Sequence, residues 1–412
     1  MSQEINNICI FSNLYPPVVS GSSTQSSSLA IELTKMGKKV IVITAKVDHK
    51  SKEYENVNGV HIYRLPCMIL PKMEIALKFP WLNFTFTPQN QRYIAEIIKE
   101  HKPDILHLHN HMFDLSLSAV HVQRKFGIPL VLTIHTIIKH TQGLYNILLY
   151  LADRYLLKKI VIDKADIIIS PDYNVLEYIK EAFGIQNSIV IPYGIQIPKR
   201  TSDEVVERIR NKYKLKRKRI ILSLGHVHRI RDRKELVQAM PMVLEKIPNA
   251  VLLIVGAVST DIPLKTARML GVDESVILTG AVPHGDIGAF LAIADLEAHW
   301  LSQDSPDRTS MGVASLESMG FGMACVSVAN EKTYGIDVIN NGKNFILVEP
   351  HKTAALAKKL IELLENDEQR RKIGENAHKV IKEHFSWDII SKKTIEIYKE
   401  AVCRYRKKKN IE

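Results

Sequence analysis

Along most of the chain, short runs of apolar β-branched residues alternate with longer stretches whose apolar positions recur at helical spacing. "ICIFS" leads into the helical "SSSLAIELTKMG" and then "KVIVITA"; "VHIYRL", "DILHLH", "PLVLTIH", "DIIISP" and "SIVIPYG" repeat the strand signature. These runs are apolar at consecutive positions, as strands covered on both faces must be, which predicts a parallel sheet wrapped by helices. After the charged helical stretch "SDEVVERIRNKYKLK" the alternation restarts with "RIILSLG", "AVLLIVG", "VILTGAV" and "FILVEP", and the chain ends in helical sequence. The pattern predicts an α/β fold of two Rossmann-like doubly wound domains, residues 1–199 and 200–386, with a terminal helix over 387–412. Ligands are expected at the carboxyl ends of the strands, in a cleft between the two sheets.

Composition narrows the class. At 412 residues, 46% apolar and 24% charged, the chain is globular and long enough for two cores. Its four cysteines, Cys9, Cys67, Cys325 and Cys403, form no CxxC pair and read as reduced thiols. The start "MSQEINN" lacks the pattern of a signal peptide, and no apolar run approaches a membrane span, so a cytoplasmic location is expected. The net charge of +12 favours anionic ligands or surfaces. No nucleic-acid recognition pattern accompanies it, so nucleic acid is not expected as a partner.

Two loops carry candidate chemistry. "YPPVVSGSSTQSSSLAIEL" brings Gly21 and small hydroxyl residues to a helix start, which suits either a ligand's polar group or a plain capping role. "LSLGHVHRIRDRKELVQA" ends a strand at Gly225 and follows it with His226, His228, Arg229, Arg231 and Arg233; at a strand's carboxyl end such cations fit a diphosphate. "HLHNH" places His107, His109 and His111 at a spacing that aligns one strand face, as zinc ligands could be, but no cysteine lies near to complete a site and no metal is expected. Glu317, in the helical run "VASLESM", is an acid flanked by apparent core residues.

The order of these features resembles the family-4 retaining glycosyltransferases of the GT-B fold, carried by "YPPVVSG", "PDILHLHN", "LTIHT", "IPYGI", "LSLGHVHRIRDRKELVQA", "VILTGAVPHGDIGAFLAIAD", "SLESMGFGMACVSV" and "FSW…IYKEAV". The resemblance implies transfer of a sugar from a nucleotide sugar, UDP being the expected carrier, with retention and without metal or other cofactor. It also implies that the terminal helix crosses back onto the N-terminal domain. By resemblance Glu317 holds the nucleotide ribose, the amides of Ser310, Met311 and Gly312 face the diphosphate and sugar, and Gly21, Gly225, Arg229 and Arg231 belong to the donor site. The first glutamate of the family's Glu-x7-Glu pattern falls on Thr309, with Asp304 and Asp307 near enough to contact the sugar instead. The family's diphosphate-binding Arg and Lys fall on His226 and Arg231, and the Gly after the Lys falls on Asp232. Tyr193 stands where Asn is usual. His135 in "TIHT" matches a histidine near the reacting sugar, giving a catalytic set of His135, Arg231, His226 and Thr309. The acceptor is expected to be a glycan, a lipid-linked or a cell-envelope molecule, and the apolar and basic stretch "GLYNILLYLADRYLLKKIVIDKAD" suits peripheral contact with an anionic membrane face. Thr309 and His226 stand where the family uses charge. They keep two alternatives open: a catalytically silent homologue serving as a partner subunit, and a nucleotide-sugar epimerase or hydrolase.

Overall fold

The computed structural model describes residues 4–18, 20–48, 50–69, 83–138, 144–229, 231–299, 312–328, 333–335 and 338–409. The chain divides into two compact units, Met1–Gly194 with Trp387–Glu412, and Ile195–Ser386. In chain order the first unit contains β1 (Asn7–Ser12), β2 (Lys39–Ala45), β3 (Tyr54–Val57), β4 (Val60–Leu65), β5 (Met68–Ile69), β6 (Asn83–Phe84), β7 (Ile105–His109), β8 (Leu130–Thr133), β9 (Ile167–Ser170) and β10 (Ile189–Val190). The second contains β11 (Arg219–Leu224), β12 (Ala250–Val255), β13 (Val276–Leu278), β14 (Leu296–His299), β15 (Cys325–Ser327) and β16 (Ile346–Leu347).

The first sheet runs β10-β9-β8-β7-β1-β2-β4-β3, parallel except for β3, which pairs antiparallel with β4 through a turn at Asn58 (φ 53°) and Gly59 (φ 83°). Alternate residues of its strands enter two cores. Cys9, Phe11, Leu106, Leu108, Leu130 and Leu132 pack on one face; Ile8, Ile10, Ile105, Val131, Ile167 and Ile169 pack on the other. The helix Trp387–Lys409 closes that second face with Trp387, Ile390, Tyr398 and Val402. Gly194 is required beneath it, since a Cβ there would lie 2.4 Å from the Trp387 ring.

The second sheet is parallel throughout, β13-β12-β11-β14-β15-β16. Ile221, Leu252 and Ile254 face the helices Lys234–Lys246 and Thr353–Glu365, while Leu222, Leu253 and Val255 face Ile287–Ile293, Val313–Phe321 and Asp367–His384. The strands predicted at "SIVIPYG" and "FILVEP" are shorter than their apolar runs, at Ile189–Val190 and Ile346–Leu347. Each ends ahead of a proline, Pro192 or Pro350, which cannot donate to a ladder.

Both sheets reverse strand order once, and a doubly wound sheet binds its ligand at the carboxyl ends of the strands flanking such a reversal. In the first unit these are β1 and β7, which deliver the loop after Ser12 and the residues from His109 onward. In the second they are β11 and β14, which deliver Gly225 and His299.

Candidate functional site

The second unit's reversal point gathers a polar set that its apolar strands would not otherwise hold. β11 ends at Gly225 (φ +108°), whose N–H donates to Val255 O at 2.9 Å. Gly256 (φ +147°) lies so close that a Cβ there would sit 2.4 Å from the Gly225 carbonyl oxygen. Only glycine supplies both the backbone angle and the room. Arg233 leads into the helix Lys234–Lys246 in a left-handed conformation (φ 61°) and is fully buried. Its guanidinium donates to Ser223 Oγ (2.9 Å), Leu224 O (2.8 Å), Arg231 O (2.7 Å) and, at 3.4 Å, Gly225 O. One side chain thus ties both ends of the Gly225–Arg231 turn to the strand. Burial brings Arg233 down to about 10, and its fixed charge lies beneath a turn that also carries Arg231.

β14 supplies Glu297 and His299, both buried. Burial pushes Glu297 up to about 8, against the pull of Ser315 and Arg233. His299 is held well below the ordinary imidazole range by burial and by Arg233 and Arg231. Gly312, which opens the helix Val313–Phe321, packs against that ring, with a Cβ position 3.0 Å from Cε1 and Nε2. No side chain caps this helix start among the described residues, so its first amides point outward as an anion site does.

The expected donor residues divide accordingly. Gly225, Arg231 and Gly312 meet at the reversal point; Arg231 is half-buried, while His226 and Arg229 are exposed on the turn. Asp232, where the family carries a glycine, accepts the Lys234 N–H through Oδ1 at 3.0 Å. Glu317 is half-buried on the helix Val313–Phe321. Its carboxyl has no hydrogen bond or ion pair among the described residues, and burial lifts it to about 7. Thr309, Ser310, Met311, Asp304 and Asp307 lie outside the described residues. Sequence reasoning read Arg233 as one more cation of the loop and passed over Glu297 and His299. The legible signal was "LEAH", an acid and a histidine alternating with apolar residues in a strand covered on both faces.

In the first unit, Gly21 opens the helix Gly21–Lys35 with open space around its Cβ position. The hydroxyl run builds a capping box there: Ser23 N–H donates to Ser20 Oγ (3.1 Å), and Ser20 N–H donates to Ser23 Oγ (2.8 Å). The histidines form a stack on the face closed by the terminal helix. His107 Nδ1 lies 2.7 Å from the Tyr398 hydroxyl and Nε2 lies 2.7 Å from Thr133 Oγ1. His109 Nδ1 lies 3.0 Å from His135 Nε2, and His135 Nδ1 lies 2.9 Å from the Tyr193 hydroxyl. The rings of His109 and His135 stack at 5.2 Å, those of His135 and Tyr193 at 5.6 Å. Burial lowers His135 to about 4 and, with the neighbouring His135, His107 to about 3, so these imidazoles are neutral. The expected alignment of three histidines on one face is corrected at His111. β7 ends at His109, Asn110 turns left-handed (φ 76°), and His111 Nε2 reaches Asp153 Oδ1 at 2.7 Å instead. Among the described residues no group of three His, Cys, Asp or Glu side chains is placed to hold a metal ion.

Comparison with known proteins covers both units. Residues 205–380 match the family described as glycosyl transferases group 1, and residues 19–197 match glycosyltransferase family 4. An uncharacterised glycosyltransferase of Methanocaldococcus jannaschii is 25% identical over 404 residues, spanning 96% of this chain and 98% of that one. The N-acetyl-alpha-D-glucosaminyl L-malate synthase of Bacillus anthracis is 21% identical over 397 residues, 94% of this chain and 95% of its own. Among solved structures, HepE of Anabaena in complex with UDP and glucose superposes with a TM-score of 0.69 at 16% identity, covering 95% of this chain and 99% of that one.

Proposed function

This chain belongs to the GT-B glycosyltransferases of family 4, and on that premise we propose that it moves a sugar from a UDP-linked donor, with retention, onto a glycan or lipid-linked acceptor. The observation that carries the donor half is the meeting of the Gly225 turn, Arg231 and the uncapped helix start at Gly312 at one strand-order reversal. Backbone amides at a helix start, a glycine turn and guanidinium charge are the groups a diphosphate needs. UDP as the carrier is supported by the likeness to HepE with UDP and glucose. The alpha glycoside in the name of the Bacillus anthracis relative corresponds to retention when the donor is itself an alpha-linked nucleotide sugar.

In the proposed reaction the leaving diphosphate accepts the acceptor's proton on the face the acceptor attacks, so no protein nucleophile is required. The protein's contribution is alignment and stabilisation of the charge that develops on the diphosphate. Arg231, with His226 and the amides from Ser310 to Gly312, supplies that stabilisation, Arg229 adds positive charge on the turn, and Thr309, or Asp304 or Asp307 in its place, contacts the sugar. Glu317 accepts from the ribose hydroxyls, which gives a function to a carboxyl that has no partner among the described residues. The reaction is proposed to proceed without a bound metal, so EDTA leaves its rate unchanged. A cytoplasmic site of action, with peripheral contact at the inner membrane face, is proposed for the lipid-linked case.

The test is a panel of nucleotide sugars titrated calorimetrically, followed by overnight incubation of each binder. Binding of a UDP-sugar with slow release of UDP and free sugar is the expected result. A folded protein that binds no nucleotide or nucleotide sugar overturns the donor reading and leaves the silent-partner alternative.

A further inference from the structure

The Tyr193–His135–His109 line allows a proton count. Each phenol has one proton to donate, and Tyr193 has no partner for its hydroxyl among the described residues other than His135 Nδ1. Burial disfavours the phenolate, and an undirected O–H in this setting would leave a buried donor unsatisfied. Tyr193 O–H therefore donates, which makes His135 Nδ1 the acceptor and puts the imidazole proton on Nε2. That N–H donates to His109 Nδ1, so His109 in turn carries its proton on Nε2. There the line stops: His109 Nε2 is buried and meets no partner among the described residues. The neighbouring His107 belongs to a separate line, its Nδ1 paired with the Tyr398 hydroxyl and its Nε2 with Thr133 Oγ1 at 2.7 Å each.

From this geometry we infer that Tyr193 and His135 are positioning residues that lock His109 as an Nε2–H donor, and that His109 carries the available polar group of the cluster. His135 itself has both ring nitrogens engaged. The inference places a neutral, directed hydrogen-bond donor at the carboxyl end of β7, at the strand-order reversal of the first unit. Its use, donation to a substrate oxygen, rests on the glycosyltransfer reading; the tautomer lock does not.

The experiment is a long-range proton–nitrogen correlation spectrum of the full chain with 15N-labelled histidine, assigned by single His→Gln variants. In the wild type, His109 and His135 are expected as Nε2–H tautomers. In Tyr193→Phe the donor to His135 Nδ1 is gone and the line can run in either direction, so His135 and His109 are expected to show mixed tautomers while His107 stays unchanged. A wild-type His135 protonated on Nδ1 overturns the inference whether or not any variant folds, and so does a Tyr193→Phe spectrum identical to the wild type. For the reaction, His109→Gln, which keeps an N–H near the ε position, is expected to retain activity that His109→Leu loses by about tenfold in kcat with donor KM unchanged, the equivalent of one hydrogen bond. Equal loss in the two variants overturns the donor role. A wild type without any transfer or hydrolysis counts against the glycosyltransfer reading alone, because the spectra still decide the lock.

Discussion

Arg233 and Glu297 are both fully buried. Arg233 is a buried cation with four backbone or hydroxyl acceptors, and Glu297 is a buried acid in its field. Removing the guanidinium leaves those buried acceptors without their donor, which costs about 1–3 kcal/mol for each unsatisfied group. Arg233→Met is expected to lower the unfolding free energy of the second unit by at least that amount in urea titrations. The proton on Glu297 has its own consequence. The folded chain retains it to about pH 8, whereas the unfolded chain releases it in the ordinary carboxyl range. The stabilisation it brings is therefore full in acid and lost as pH rises toward 8, with Glu317, lifted to about 7, acting in the same direction. Thermal melts are expected to fall between pH 5 and 8, and Glu297→Gln to flatten that fall. Glu317→Ala should weaken UDP binding by ~1–3 kcal/mol, the worth of the lost ribose hydrogen bonds, as read by calorimetry; unchanged affinity would remove its assigned role.

At the scale of elements, the donor site depends on close backbone approach more than on any one side chain. Gly256→Ala puts a methyl group 2.4 Å from the Gly225 carbonyl oxygen and must displace the turn. The expected outcome is a folded protein whose nucleotide affinity drops about tenfold or more, checked by circular dichroism beside calorimetry. The elements themselves were legible in the sequence, because consecutive apolar residues in "KVIVITA" or "AVLLIVG" suit only a strand covered on both faces. The reversal points were legible only as a consequence of the predicted fold. Which loops flank them depends on strand order, and strand order is decided by pairing between distant segments such as Ile8 with Ile105. The same reason hid Arg233. In "HRIRDRKEL" it reads like its neighbours Arg229 and Arg231, and nothing local says that it alone turns inward to bond Ser223. Tyr193 was noticed as a departure, but its bond to His135 joins two loops 58 residues apart.

Across the whole molecule, positive charge stands beside exposed apolar side chains on one segment of the first unit in particular. On the segment from 147 to 159, Leu148, Leu151, Tyr155 and Leu156 are exposed, next to Lys158 and Lys159. No helix among the described residues is long and apolar enough to cross a membrane. Flotation with vesicles containing phosphatidylglycerol is expected to carry the protein upward at low salt. Leu148→Glu/Leu156→Glu should abolish this, and binding unaffected by the substitutions would remove membrane contact from the proposal. The helix Trp387–Lys409 bears on how the chain is made. The first unit's second core requires Trp387, Ile390, Tyr398 and Val402, whereas every residue of the second unit lies between Ile195 and Ser386. During synthesis the middle of the chain is therefore complete first, and the opening residues must wait, one face of their sheet uncovered, until the last helix leaves the ribosome. In that interval Ile8, Ile10, Ile105, Val131, Ile167 and Ile169 lack the helix that covers their face.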